Sequence, residues 1–417
     1  MDRLSSEFHS LVGSPNRVES AEGYAMVTRI ALVGCGYVAD FYMKCLKGYA
    51  GVSVEGAYDR DPSRLEAFCR YHGVRACASL PALLDLPDVL LVLNLTNPRS
   101  HMEVSSMILE AGRHVFTEKP LAMTLAEAQS LAALAREKNL RIGCAPCNML
   151  SDMVQTAWKA IRDRAIGDVR AVYVNYDDGL IAPRAKPWLF KSASGAFWPA
   201  KDEFEVGCTY EHAGYFLSCL SAFFGPARQV TSIATCQIAD KGIAVDTMAP
   251  DFSTGCIEYD GGIVARVTCG LLAPKDHSML VVGTEGTLVL PDLRNEKRQV
   301  RIRPFAKKGR RRYERIKKYP RARVSPLILV HKWHKPVDFF HGPMEMIDAI
   351  REGRPHRLSA ELGIHIVEII EALQYPERFS SHKNIESDFP AIEPLPWIID
   401  SDSKTNGNSW VRRLLPW

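Results

Sequence analysis

Five short apolar runs separated by helix-like stretches occupy residues 28–147, and this alternation constrains the fold more than any other feature of the chain. Thr28–Val33 runs into Gly34-Cys-Gly-Tyr-Val-Ala39 and a helix to about Leu46. Val52–Tyr58 ends at Asp59, after which Asp61-Pro62 offers an N-cap and a proline at the first helical position. Val89–Leu93 precedes a helix over Arg99–Ala111. His114–Thr117 leads into Glu118-Lys119-Pro120, and Thr124-Leu-Ala-Glu127 is a capping box that opens a helix to about Lys138. Arg141–Cys144 closes the series. A strand that is apolar throughout has no face to give to water, so the sheet must be parallel and covered by helices on both sides. Residues 28–148 are therefore expected to form a doubly wound α/β domain.

Beyond Cys147 the pattern changes. Val169–Asp177, Gln229–Cys236, Thr254–Tyr259, Ile263–Leu271, Met279–Val282 and Gly286–Leu290 read as strands with no helices between most of them. Turns such as Asp260-Gly261-Gly262 join several, which points to an open, mostly antiparallel sheet. Helices are expected over Val154–Arg164, Glu211–Phe224, Pro343–Arg351 and Ala360–Leu373. Residues 149–400 thus read as a second, α+β domain. The two domains together are flanked by an N-terminal extension (1–27) and a polar, disordered tail (401–417).

With 47% apolar and 24% charged residues, the 417-residue chain is not a disordered, collagen-like or coiled-coil protein. No apolar run reaches the 18 or so residues of a membrane span. The first 26 residues lack the apolar core of a signal peptide, and eleven cysteines scattered in apolar segments suit reduced thiols; a soluble cytoplasmic protein is expected. The net charge of +4 hides an asymmetry. Residues 296–323 carry 14 Lys/Arg against 2 Asp/Glu, which leaves 38 basic and 46 acidic residues elsewhere, a formal −8.

Gly34-x-Gly36-x-x-Ala39 stands at a strand-to-helix junction, the context a dinucleotide fingerprint requires. The first glycine makes the turn, the second admits a pyrophosphate to the backbone, and Ala39 packs helix on strand. The helix N-terminus adds N–H groups and a positive dipole end. Asp59, twenty residues after Ala39, is placed to accept from an adenosine ribose and to repel a 2′-phosphate, which favours NAD. Arg60 beside it can hold that phosphate or stack on adenine, so NADP stays possible.

Together with Thr96-Asn97-Pro98…His101 and Glu118-Lys119-Pro120, these motifs resemble the glucose–fructose oxidoreductase / inositol dehydrogenase (Gfo/Idh/MocA) family over roughly residues 28–375. The resemblance implies an N-terminal Rossmann domain, a second domain on an open antiparallel sheet, and NAD(P)-dependent redox chemistry on a sugar or polyol carbon. It also implies cofactor contacts from Gly34, Gly36, Tyr37, Val38, Asp59, Arg60, Thr96, Asn97, His101, Glu118 and Lys119. Lys119, at a strand end over the nicotinamide crevice, suits the reacting oxygen, either as acid/base or as an electrostatic partner. The family's Asp-x-x-x-His/Tyr element, counted back from Gly225-Pro226, falls on Glu211 and Tyr215, four residues apart on one helix face. Glutamate replaces aspartate here. His212 next to it, with an ordinary pKa near 6.5, is a further candidate base. Asn148 follows the strand that the family uses to deliver a substrate-side residue. Asp177, Asp178, Trp188 and Lys201, and the segment from Trp198 to Gly207, carry groups suited to a sugar's face and hydroxyls.

Cys144-Ala-Pro-Cys147 raises zinc, but no second ligand pair accompanies it, so no metal is expected. The basic segment can bind a polyanion, with Tyr313 and Tyr319 available to stack. No nucleic-acid-binding motif goes with it, and a solvated insertion is the preferred reading. The expectation is a soluble oxidoreductase acting on a small sugar-like molecule as a homodimer or homotetramer, without membrane or nucleic-acid partners. A non-catalytic nucleotide-binding or regulatory protein of the same fold, and a dehydrogenase of a non-sugar cyclic diol, are the alternatives.

Overall fold

The computed structural model describes residues 27–180, 186–295, 297–306, 312–322 and 337–396. The expected N-terminal extension (but for Val27), the tail and part of the basic segment lie outside the described residues.

The first sheet contains β1 (Thr28–Val33), β2 (Val52–Tyr58), β3 (Val89–Asn94), β4 (His114–Thr117) and β5 (Ile142–Cys144), all parallel, in the order β2-β1-β3-β4-β5. Its strands are apolar at successive positions because each face has its own core. In β1, Ile30 and Leu32 enter one cluster with Ala39, Tyr42 and Met43 of α1 (Ala39–Leu46) and Phe68 of α2 (Pro62–His72). Ala31 and Val33 enter the other with Leu83 of α3 (Leu80–Leu84), Ile108 of α4 (His101–Glu110) and Leu131 of α5 (Leu125–Glu137). The two-residue strand period assigns alternate side chains to the two cores. Asp61 caps α2 by accepting from the Ser63 and Arg64 N–H groups, and the Thr124–Glu127 capping box opens α5. The short α3, opened by Ser79, was not expected from the sequence.

The second sheet has nine strands: β6 (Val169–Asp177), β7 (Ala227–Thr235), β8 (Phe252–Tyr259), β9 (Ile263–Gly270), β10 (Met279–Gly283), β11 (Gly286–Leu290), β12 (Arg301–Pro304), β13 (Lys317–Lys318) and β14 (Lys383–Asn384). Their order is β13-β12-β11-β10-β6-β9-β8-β7-β14. Every pairing is antiparallel except β6 with β9, so the sheet is mixed. The hairpin β8–β9 docks beside β6 in the same direction. β12 and β13 arise within the basic segment, where charge hides the alternation around buried Ile302. One face of the sheet is covered by α6 (Asp152–Arg162) and by α7 (Ala200–Val206), α8 (Cys208–His212) and α9 (Gly214–Phe224). The last helices, α10 (His341–Arg351) and α11 (Ala360–Gln374), follow; α11 contributes Ala360 and Val367 to a Rossmann core and Leu362 and Ile369 to the larger one. The other face of the sheet exposes Tyr173, Ile233 and Val264.

Two local differences from the sequence reading matter for the site. The segment from Trp198 to Gly207, over which no helix was expected, contains α7, which ends at Gly207 with φ +98°. The single helix expected over Glu211–Phe224 is two, α8 and α9, joined at Ala213 with right-handed helical torsions. Gly214 lies there against Pro146, whose ring would be 3.1 Å from an added Cβ.

Candidate active site

The strand order of the first sheet reverses between β1 and β3, and ligands in such sheets bind beyond the strand C-termini at that crevice. A cleft of about 1320 Å³ opens there, walled on one side by the ends of β1–β4 and on the other by α7–α9 and their loops.

The cofactor side is mostly backbone. Gly34 has φ +95°, and a Cβ there would sit 2.6 Å from the Leu95 carbonyl, so only glycine lets the β1 turn pass the β3 turn. Gly36 has open space where a Cβ would project, as close approach of a phosphate requires. No side chain caps α1. Its first turn is left for an anion, and these features fit a dinucleotide pyrophosphate. Tyr37, Val38, Arg60, Thr96, Asn97, Glu118 and Lys119 all line the cleft.

Asp59 also lines it, but its carboxylate is already engaged. It accepts from Cys35 N–H (2.8 Å), Asp61 N–H (2.8 Å), and Arg64 Nε (2.8 Å) and Nη2 (2.6 Å). Burial pushes this carboxyl up, but the Arg64 and backbone hydrogen bonds outweigh it and hold it below the usual range. Four acceptor positions are about what a carboxylate offers, so a ribose hydroxyl must share or displace a protein donor. His101 does not reach the cleft. Its buried ring is wedged between the Pro120 carbonyl (2.6 Å) and the Thr96 carbonyl (3.1 Å), donating its one N–H to either and bracing the two loops that carry Asn97 and Lys119. A loop from the second sheet crosses over α1, where Ser194 N–H and Oγ donate to buried Asp40 at 2.9 and 2.8 Å. Phe190, Phe197 and Trp198 of that loop face the cleft.

The opposite wall is a cluster of charged side chains. Lys119 Nζ is ion-paired with Glu211 across the two walls. Burial pushes Lys119 down, but the Glu211 carboxylate outweighs it and holds the ammonium charged, above the ordinary lysine range. Burial, and then neighbouring Glu203, lift Glu211 to about 7. His212 Nε2 lies 2.8 Å from Glu203 and 3.4 Å from Asp178. Burial opposes its charge, yet Glu203 and Asp178 raise its pKa above the ordinary histidine value. These two carboxylates favour the imidazolium form of His212, the further candidate base of the sequence reading. Tyr215 is 6% exposed, stacked on Tyr176 (centroids 5.4 Å apart, 8° between planes). Burial raises its pKa, and Arg294 and Lys119 work against that. The Arg294 guanidinium lies 4.9 Å from the Tyr215 ring centroid.

Other sequence candidates are placed elsewhere. Asn148 is buried and donates to the Leu293 carbonyl at 2.9 Å, supporting the loop that carries Arg294. Asp177 is buried behind the cleft against Gly270, whereas Asp178 faces it. Trp188 packs on Gly242. Lys201 points outward to Asp246 at 2.7 Å. Cys144 and Cys147 are buried thiols donating to the Glu118 and Asp338 carbonyls. Among the described residues no three His, Cys, Asp or Glu side chains are grouped to hold a metal. The sequence reading missed Arg294 and His277, and it named Glu203 only within a segment. Arg294 falls in a turn between a strand and the basic segment, and no spacing rule singles it out.

Residues 28–145 match the model of the GFO/IDH/MocA oxidoreductase family with an NAD-binding Rossmann fold, and residues 154–289 match the family's C-terminal domain. The chain belongs to the Gfo/Idh/MocA family. Within it, trans-1,2-dihydrobenzene-1,2-diol dehydrogenase of Sus scrofa is 24% identical over 271 residues, 64% of this chain and 75% of that protein. The WlbA dehydrogenase of Bordetella pertussis, solved with NADH and UDP-GlcNAcA, shares the fold at a TM-score of 0.66 and 18% identity, covering 87% of this chain and 99% of that one. The aldose–aldose oxidoreductase of Caulobacter crescentus, solved with glycerol, gives a TM-score of 0.66 at 17% identity over 86% and 99%. Like its family, the chain is an NAD-binding oxidoreductase. No helix among the described residues is long and apolar enough to cross a membrane.

Proposed function

We propose that this oxidoreductase transfers hydride between a nicotinamide and the secondary alcohol or ketone of a sugar, polyol or related cyclic diol, with Lys119 and Tyr215 managing the proton. The observation that carries this reading is the buried Lys119–Glu211 pair beside Tyr215 in the crevice where the fold receives a dinucleotide. Relatives named for work on a diol and on aldoses support a hydroxyl-bearing substrate.

When bound, the nicotinamide supplies the hydride acceptor or donor. In the oxidation direction the substrate O–H bond breaks, and its proton passes to the Glu211 carboxylate, directly or relayed through the Tyr215 hydroxyl, which gives its own proton to Glu211 as it accepts the substrate's; the Lys119 ammonium stabilises the alkoxide. Glu211, with a pKa lifted to about 7, exchanges a proton near neutral pH while anchoring Lys119. His212, whose pKa Glu203 and Asp178 raise against burial, stays tied to Glu203 and orients that carboxylate behind Glu211. Phe190, Phe197 and Trp198 offer apolar surface to the ring and limit water.

The test is hydride transfer by the purified chain, followed at the nicotinamide absorbance with NAD and with NADP against sugars, polyols and trans-diols. Turnover of a secondary alcohol supports the reading; NADH binding with no turnover across the panel sinks it. Parallel NADH and NADPH fluorescence titrations assign the cofactor, for which Asp59 favours NAD and Arg60 with Arg64 leave NADP open. A cytoplasmic homo-oligomer is part of the reading, supported by exposed Tyr173, Ile233 and Val264 on the open sheet face. A monomer mass by light scattering would remove the oligomer.

A further inference from the structure

We propose that Arg294 is an oxyanion receptor on the substrate side of the cleft, selecting sugars that carry a carboxylate or a phosphate. The inference rests on the dehydrogenase reading above and names the substrate class for the same site.

Position comes first. Arg294 reaches the cleft from the turn after β11 and lies over Tyr215, so a group bound to it shares the substrate volume with the reacting carbon. Its backbone is fixed from three directions. Asn148 Nδ2 donates to the Leu293 carbonyl (2.9 Å), Leu293 N–H donates to the His277 carbonyl (2.8 Å), and Arg294 N–H donates to Asp292 Oδ1 (3.0 Å). A cation on so constrained a turn is preorganised, which lowers the cost of binding.

Its charge is only loosely held, by Asp178 and by the Tyr176 hydroxyl. The other basic groups of this wall are better matched: Lys119 is paired with Glu211, and His212 lies 2.8 Å from Glu203. The nearest carboxylate described for Arg294 is Asp178, at 3.9 Å, beyond hydrogen-bonding distance. Asp178 is itself shared, 2.9 Å from His277 and 3.4 Å from His212. The guanidinium fork, stacked on an aromatic face and 28% exposed toward the cleft, therefore has donors to spend on a ligand. That fork matches carboxylate and phosphate bidentately, which a neutral hydroxyl cannot reproduce. Lys275, exposed at the rim of the same cleft, adds a second positive charge.

An oxyanion here has two sources, the substrate or the dinucleotide pyrophosphate, and the experiment separates them. The full chain is saturated with NADH and its melting temperature followed with D-glucuronate, D-glucose 6-phosphate and D-glucose. The expected result is half-saturation by at least one anionic sugar at a concentration about tenfold or more below glucose. Arg294→Gln should raise that concentration about 10–100-fold, the loss of a charge-assisted hydrogen-bonded contact. NADH affinity, measured by fluorescence, should stay within about twofold. Arg294→Lys keeps the charge without the fork and should fall between the two, which covers the case in which the glutamine variant fails to fold. Equal response to glucose and to both anions in the native chain, or none to either anion, overturns the proposal. So does an anion response that survives Arg294→Gln, or a loss of NADH affinity in that variant, which assigns the residue to the cofactor. Neutral polyols turned over with no anion preference would end this inference and leave the dehydrogenase reading. Anionic sugars bound but never oxidised or reduced would do the reverse.

Discussion

The two walls of the cleft are built on different terms. On the cofactor side, a glycine turn, an uncapped helix start and loops braced by His101 present mainly backbone to the ligand. On the substrate side, Glu203, Glu211, His212, Tyr215 and Arg294 come from three helices and a distant turn, and their charges set one another's protonation. The first wall works through shape, which a single added methyl can destroy. The second works through balance, and each substitution there shifts the groups left behind.

Lys119→Ala should produce the largest and cleanest separation of the walls. Removing the ammonium strands Glu211 without its partner and takes away the alkoxide's nearest cation. A drop in kcat/KM of about 10²–10⁴-fold is expected, with NADH affinity within about threefold. Equal loss of NADH affinity would mean that Lys119 belongs to the cofactor wall and that the walls are not separable.

Gly34→Ala tests the other side. The added Cβ meets the Leu95 carbonyl at 2.6 Å, on a backbone with φ +95° that alanine adopts at a cost of about 1–3 kcal/mol. NADH affinity should fall about tenfold or more and the melting temperature should drop. A variant that binds NADH normally would show that the turn is not what admits the dinucleotide.

Why one wall was readable and the other was not follows from this difference. Thr28–Val33 with Gly34 and Gly36 declares its fold because strand burial, turn geometry and helix start are all local. The same holds for Asp61-Pro62 and for the Thr124–Glu127 box. Lys119, Glu211 and Tyr215 were found through a family resemblance together with a helical spacing. Arg294 and His277 were not, because what brings them to the site is the register of β10 and β11 beside β6. The partners of Asp59 were hidden too: a carboxylate at a strand end is visible in sequence, but Arg64 closing on it from the first turn of α2 is a matter of side-chain geometry.

Charge balance on the substrate wall predicts a pH dependence. If the proton leaves through Glu211, alcohol oxidation requires its carboxylate form, so kcat/KM should rise as pH passes upward through about 7, the value to which burial and Glu203 lift it. Glu211→Gln should lower the rate about 10–100-fold and flatten that limb. A limb at the same pH in the glutamine variant would transfer the titration to another group. Asp59→Asn should act more gently on the cofactor wall. It weakens the hold on Arg64 and frees that guanidinium, so the NADPH/NADH affinity ratio should move toward NADPH by about 3–10-fold. No change in the ratio would show that Arg64 stays out of reach of a 2′-phosphate.

Lys201→Ala should have the smallest effect, and it sharpens the boundary of the substrate wall. The sequence places Lys201 beside Trp198 and Glu203, which both face the cleft, and so suggests a substrate contact. Helix α7 decides otherwise. Asp202 and Glu203 lie on the helix face turned to the cleft, while Lys201, about 100° around the helix from Asp202 and about 200° from Glu203, turns outward to Asp246 at 2.7 Å. An exposed ion pair of this kind contributes little, and KM for any substrate should stay within about twofold of the native value. A tenfold rise in KM with unchanged NADH affinity would mean that α7 turns on substrate binding, and that the wall seen here is its open arrangement.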